Sequence, residues 1–215
     1  MDLKQKQATL EKLYLKNKFK EIIEFWDLHA EELDYCQNEE SALIAEVISA
    51  SLINQGQYSR ALSYVNSYLY FLQRENQQSR IEDEDIIDDM ITFYDFKIEI
   101  YHRTNKIIHE YAAIHRFLLY DKDDVILQLK EELEDAIFDR FVLINKILLF
   151  VTFAIKVLVY ILPSFEHSLY ISVVTSIVFW WIFINLLFYR RVRDIFIRLL
   201  NKYFENRASG KSDGG

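Results

Sequence analysis

Few side chains in this sequence have the type and spacing that chemistry requires. Glu99 and His102 stand three residues apart, which puts a carboxylate and an imidazole on one helical face where a metal could be held. A dinuclear carboxylate site needs a second copy of that motif and two further carboxylates, and no second copy occurs. The run Ile81–Asp89 supplies six carboxylates without the central glycine turn of an EF-hand loop, so calcium is not favoured. It reads as a solvated helix start, with Ser79 and Glu82 in capping-box register and the charges near the positive helix end. A docking patch for a basic partner or a weak divalent-cation site is the alternative. His29, His115 and His167 stand alone, and no Gly-rich phosphate loop is present. No metal or cofactor is expected, and the chain does not read as an enzyme.

The elements that carry these residues follow from composition. Residues 1–140 hold 16 Lys/Arg and 29 Asp/Glu, a net charge of −13; residues 141–189 carry +1 and residues 190–215 carry +4. An acidic domain of this kind repels phosphates over a broad surface, so no nucleic acid is expected as a partner. Four glycines and one proline in 215 residues leave almost no turn chemistry for sheets, so an all-α fold is predicted. The single Cys36 excludes an intramolecular disulfide and fits a reducing compartment. The first residues lack the apolar core of a secretory signal, and the terminal 208–215 segment reads as a flexible tail.

Along residues 1–140 the apolar period is helical. Leu10, Leu13 and Tyr14 lead to a break at Lys16–Lys18, after which Phe19, Ile22, Ile23 and Trp26 resume the period. Asn38 is an N-cap candidate for a helix carrying Leu43, Ile44, Val47, Ile48 and Leu52. That helix ends at Asn54-Gln55-Gly56, and Tyr58, Ala61, Leu62, Val65, Tyr68 and Leu69 begin the next. The stretch Leu52–Leu72 resembles the tetratricopeptide repeat, with Gly56, Tyr58 and Ala61 at the turn glycine, the aromatic and the small crossing residue. Asn17, Phe19 and Ile22 stand at the corresponding places of a first unit, and Asn105, Ile107 and Glu110 at those of a third, near Glu84–Tyr120. The resemblance implies antiparallel helical hairpins whose groove takes a protein segment. Its candidate partner-binding residues are Asn54, Tyr58, Arg60, Tyr94, Tyr101 and Arg103, in a region rich in tyrosine. Spacings of 39 and 49 residues between the three turns depart from the usual period of about 34.

Arg103-Thr-Asn-Lys-Ile-Ile-His109 is similar to the R-x(4–6)-H pattern of HEPN ribonucleases, which implies Arg103 and His109 acting at an RNA phosphate. Here the pattern straddles the turn of the third unit, within the acidic domain.

Two apolar runs follow, 141–162 and 168–189, folded about Pro163 as a transmembrane hairpin over 141–189. The second is 22 residues without a charge, and the first carries Lys146 and Lys156. No Gly or Pro interrupts Asp123–Leu162, so one rod of about 60 Å is expected to couple the acidic domain to the first span. Arg140 and Lys146 at the entry to the hairpin and Arg190, Arg191 and Arg193 after it place both termini in the cytoplasm, by the positive-inside rule, of a bacterial inner membrane. Asn145, Thr152 and Lys156 share one face of the first span. Ser168, Ser172, Thr175 and Ser176 share one face of the second, with small-xxx-small spacing for helix packing. These stripes either pack on each other, with Lys156 snorkelling outward, or line a polar pathway between several hairpins. Trp180 and Trp181 fall mid-run and read as packing residues. Over 190–207, Val192, Ile195, Phe196, Leu199, Leu200, Tyr203 and Phe204 form an apolar face opposite Arg and Lys. That is the pattern of an interfacial helix on anionic lipid, or of one folded back on the acidic domain.

The leading expectation is a membrane-anchored, TPR-like scaffold or receptor that binds a protein partner through 1–140 and forms a homo-oligomer in the membrane. Two alternatives stay open: an oligomeric channel or pore-type effector gated by the cytoplasmic domain, as in antiviral defence, and a HEPN-like RNase on a membrane anchor.

Overall fold

A computed structural model describes residues 3–33, 39–78, 84–161 and 169–208. Among these residues the chain is all-helical, with nine helices and no strand. They are α1 (Leu3–Tyr14), α2 (Phe19–Leu33), α3 (Glu39–Asn54), α4 (Tyr58–Gln78), α5 (Glu84–Arg103), α6 (Ile107–Phe117), α7 (Asp124–Ile161), α8 (Leu169–Leu187) and α9 (Tyr189–Ala208). Two compact units divide at Ile126/Leu127, within the first turn of α7. The Asn38 cap, Cys36, the Ser79–Glu82 capping box, Pro163, His167 and the 209–215 tail lie outside the described residues.

The first unit is built from three helical pairs, α1/α2, α3/α4 and α5/α6, and each pair turns in the same way. Asn17, Gly56 and Asn105 adopt positive φ values of 54°, 69° and 54°. The amide of each donates to the carbonyl three residues back: Asn17 to Tyr14 (2.8 Å), Gly56 to Ile53 (3.0 Å) and Asn105 to His102 (3.0 Å). The next amide reaches five residues back, Lys18 to Leu13 (3.0 Å), Gln57 to Leu52 (2.9 Å) and Lys106 to Tyr101 (2.9 Å). This double bond is the Schellman closure, which satisfies carbonyls that a helix end would otherwise leave unpaired. Glycine adopts the left-handed region freely, and asparagine tolerates it better than other side chains do. Two residues on, Phe19, Tyr58 and Ile107 open the second helix of each pair, and five residues on, Ile22, Ala61 and Glu110 are buried. The irregular sequence spacing is absorbed by helix length: α4 and α5 run 21 and 20 residues, against 11 for α6.

Adjacent helices pack on one another through Leu10, Ile22, Ile48, Leu52, Val65, Phe93, Ile98, Tyr111 and Ile114, all buried. Asp123 caps the next helix, its Oδ1 accepting from the amides of Val125 (2.6 Å) and Ile126 (3.2 Å). Burial inside the second unit follows a different rule. Along α7 the inward positions are Phe138, Val142, Asn145, Leu149, Thr152 and Lys156, buried or half-buried at alternating steps of four and three. That is the seam of a helix packed along its length, with a period of 3.5. The outward positions are Leu143, Ile144, Ile147, Leu148, Phe150, Val151 and Phe153, with Phe150 73 % exposed.

Because nothing lies within 4 Å of a Cβ added at Gly56, a substitution there is opposed by its backbone angle alone. Gly56→Ala should destabilise the first unit by about 1 kcal/mol. Gly56→Asn, the residue used at the other two turns, should cost less than half of that. The midpoint of denaturant unfolding of the full chain measures both, and an unshifted midpoint for Gly56→Ala would contradict the shared turn.

Candidate functional site

In the first unit, the residues proposed to meet a partner are mostly engaged with neighbouring helices. Arg60 on α4 reaches Asp27 on α2 at 2.5 Å and lies 5.0 Å from the Trp26 ring centroid. Arg103 at the end of α5 pairs with Glu99 at 2.6 Å and hydrogen-bonds Tyr58 at the start of α4. Each arginine thus brackets one helical pair to the next. Asn54 is exposed, and its amide donates to its own helix at Ala50 O (2.9 Å). Tyr94 and Tyr101 are buried: Tyr94 accepts from Gln73 (2.8 Å) and stacks on Tyr120, and Tyr101 packs against His109. Their rings serve the core, which leaves Asn54, Tyr58, Arg60 and Arg103 as the accessible part of that set.

The Arg103/His109 pair is divided between two tasks. Arg103 is turned to Glu99 and Tyr58, while the His109 ring sits 5.3 Å from Tyr101. A different pairing stands at this turn: the Nδ1 of exposed His102 lies 2.9 Å from the Oε1 of buried Glu110. Glu110 occupies the position held by Ile22 and Ala61 in the other pairs, so His102 provides the partner that a buried carboxylate requires. Glu99 is bound to Arg103, so the Glu99-x-x-His102 spacing does not close on a common point through that carboxylate. Among the described residues no three His, Cys, Asp or Glu side chains are grouped as a metal site.

The acidic run enters α5 with Glu84 and Asp85 in its first turn. Asp89 is half-buried, and burial, followed by the charges of Asp85, Glu46 and Asp88, pushes its carboxyl up to about 6. Asp95 is also raised, by burial and then by Glu99 and Asp123, and Lys97 is lowered by burial and by Arg116.

In the second unit, the face shared by Asn145, Thr152 and Lys156 is the inward one. Asn145 and Thr152 are 9 % and 8 % exposed. Each is satisfied by its own helix, Asn145 donating to Phe141 O (3.1 Å) and Thr152 to Leu148 O and Leu149 O (2.9 Å each). The Lys156 ammonium lies 5.5 Å from the centroid of Phe179 on α8. It is drawn across to the neighbouring helix. On α8, Thr175, Ser176, Phe179 and Ile182 are half-buried or buried. Ser168 and the side chain of Ser172 fall outside the described residues. Trp180 meets Phe179 and Phe183 of its own helix edge-on, at 6.1 and 5.7 Å, yet Trp180 and Trp181 remain 57 % and 69 % exposed on the outward side.

Between α8 and α9 the chain bends by 90°. The Phe188 amide still reaches Ile184 O, and the Val192 amide reaches Phe188 O (3.0 Å each). After the bend α9 is held on the first half of α7. Its Phe196 ring packs against Phe138 and Phe141, with centroids 5.6 and 5.0 Å apart, and Tyr189 packs on Phe138 at 5.0 Å. Arg193 forms an ion pair with Asp135, Tyr189 donates to Asp139 (3.3 Å) and Asn201 donates to Glu134 (2.9 Å). The apolar face of α9 is thereby divided: Val192, Phe196, Leu200 and Phe204 turn inward, while Ile195, Leu199 and Tyr203 remain exposed. Where the two helices meet, a cavity of about 450 Å³ is lined by Asp135, Asp139, Tyr189, Arg190, Arg193 and Asp194. In the sequence these arginines mark topology and the polar face of an interfacial helix. The signal that could have paired the two walls is that Asp139 and Arg190 each stand within two residues of the outer end of an apolar run.

No family model, no curated protein and no solved structure matches this chain.

A carboxyl held above its ordinary value binds its proton more tightly folded than unfolded. The stability it contributes is complete below about 3.8 and is lost as the pH rises through about 6. Asp89→Asn should therefore stabilise the first unit at pH 8 by roughly 1 kcal/mol after allowance for solvent screening, and by nothing measurable at pH 4. Thermal unfolding of both proteins at the two pH values tests this, and an equal gain at pH 4 would refute it.

Proposed function

We propose that the chain is a membrane-anchored, TPR-like scaffold or receptor of a bacterial inner membrane. In this reading the first unit binds a protein segment in the cytoplasm, and the second unit anchors the chain with both termini on that side. The observation that carries the reading is the distribution of polarity on α7. This 38-residue helix is long and apolar enough to cross a membrane; within its apolar run Asn145, Thr152 and Lys156 turn inward and the large apolar side chains turn outward, with Lys146 exposed near the cytoplasmic end of the run. Water penalises such a surface, and hydrocarbon does not. α8 and α9 pass the same length-and-composition test only when taken together across their 90° bend, which suits one shorter apolar helix followed by one along the surface.

The scaffold part is supported by the three equivalent turns, which give stacked helical pairs of the kind that present an extended binding surface. Homo-oligomer formation is supported by Trp180 and Trp181, whose indoles face outward near the middle of α8. There an N–H donor gains from a second copy more than from lipid tails.

Topology and anchoring are tested in one preparation. In a Cys36→Ser background, Tyr70→Cys on exposed α4 should be labelled by an impermeant maleimide only after the inner membrane is opened. The chain should also stay in the membrane fraction through alkaline carbonate. Release by carbonate would remove the anchor, and labelling of closed spheroplasts would reverse the topology.

A further inference from the structure

The cavity between α7 and α9 sits at a definite level of the second unit. On α7 the last acidic residue, Asp139, lies two residues before Phe141, where the apolar run begins; on α9 Tyr189 closes the other run and Arg190 directly follows it. Folding brings these two edges together, and the cavity opens between them. In the membrane reading, on which this inference rests, that level is the cytoplasmic headgroup layer.

The lining carries both signs of charge. Arg193 and Asp135 neutralise each other, and Asp194 lies 3.9 Å from Arg193. Asp139 accepts one hydrogen bond, from Tyr189, and an ionised carboxylate can accept several. Arg190 makes no ion pair among the described residues, so its planar fork of donors is available to a phosphate. A simple anion in this cavity would meet the carboxylates of Asp139 and Asp194. A simple cation would leave Arg190 unused. A group with a phosphate and a primary ammonium a few bonds apart satisfies both ends, because the ammonium has three N–H donors for the carboxylates. A trimethylammonium has none. The volume of about 450 Å³ takes such a headgroup, and the apolar edge beside it takes the acyl chains.

We infer that the α7–α9 cavity is a binding site for a phosphoethanolamine lipid headgroup, with Arg190 on the phosphate and Asp139 on the ammonium. The same group could arrive as a soluble phosphoethanolamine, but the place of the cavity at the apolar edge assigns it to a lipid.

The test uses the full chain reconstituted with equal amounts of phosphatidylethanolamine, phosphatidylcholine and phosphatidylglycerol of identical acyl chains. The lipids retained after mild detergent extraction are then counted by native mass spectrometry. Phosphatidylethanolamine should be retained several-fold over both others, and Arg190→Gln and Asp139→Asn should each bring it to parity. Arg190→Gln breaks no ion pair among the described residues, so an unchanged thermal midpoint will separate loss of the site from loss of the fold. Parity in the unsubstituted chain, preference for phosphatidylglycerol, or a preference that survives both substitutions would overturn the inference. Retention of soluble phosphoethanolamine in place of the lipid would overturn its lipid source. Carbonate extraction is read separately: a chain that leaves the membrane fails the anchoring proposal, and one that stays but shows no headgroup preference fails only this site.

Discussion

A polar side chain in apolar surroundings must find its partner within its own chain, and the second unit is arranged around that requirement. Asn145 and Thr152 return their donors to carbonyls one turn back, and Lys156 places its charge over the face of an aromatic ring. With those groups accounted for on the inner seam, the outer surface of the apolar run of α7 carries Leu, Ile, Val and Phe side chains and one charge, Lys146, near its start. Beyond the outer ends of the apolar runs, the Arg193–Asp135 pair and the Phe196 stack hold α9 against α7.

The first unit solves a different problem with one repeated device. Every helical pair must reverse direction without leaving carbonyls unpaired, and all three use a left-handed residue with the same two hydrogen bonds. Neighbouring pairs are then joined by arginines, Arg60 to Asp27 and Arg103 to Glu99 and Tyr58. Side chains chosen for a partner-binding role from their type alone thus turn out to hold the stack together, although their exposed edges remain on the surface. Asp89 shows the cost of the acidic run: facing Glu46, Asp85 and Asp88 while half-buried, it keeps its proton to about pH 6.

The helical periods were legible because apolar residues recur at three and four, and the turns because that period breaks at short polar stretches, one of them holding the only glycine of the first 200 residues. Even the weak equivalence of Asn17, Gly56 and Asn105 proved to be a conserved backbone geometry across the three pairs. Side-chain fate was less legible. Period alone puts Tyr94 and Tyr101 on a repeat helix but does not say that they are buried, since that depends on helices far away in sequence. Trp180 and Trp181 read as packing residues; Trp180 meets Phe179 and Phe183 edge-on, and both stay exposed because the inner side of α8 is taken by Thr175, Ser176, Phe179 and Ile182. The α7–α9 cavity was invisible for the same reason: its two walls lie about fifty residues apart, and neither has a motif of its own.

The central claim is that α7 keeps its polar seam inside and gives its apolar face to lipid. Nitroxide labels at Phe150→Cys and Thr152→Cys, in a Cys36→Ser chain reconstituted in bilayers, measure this through collisions with oxygen and with a water-soluble nickel chelate. The account predicts high oxygen access and no chelate access at position 150, and low access to both at position 152. Strong chelate access at 152, or a position 150 shielded from oxygen, would contradict it.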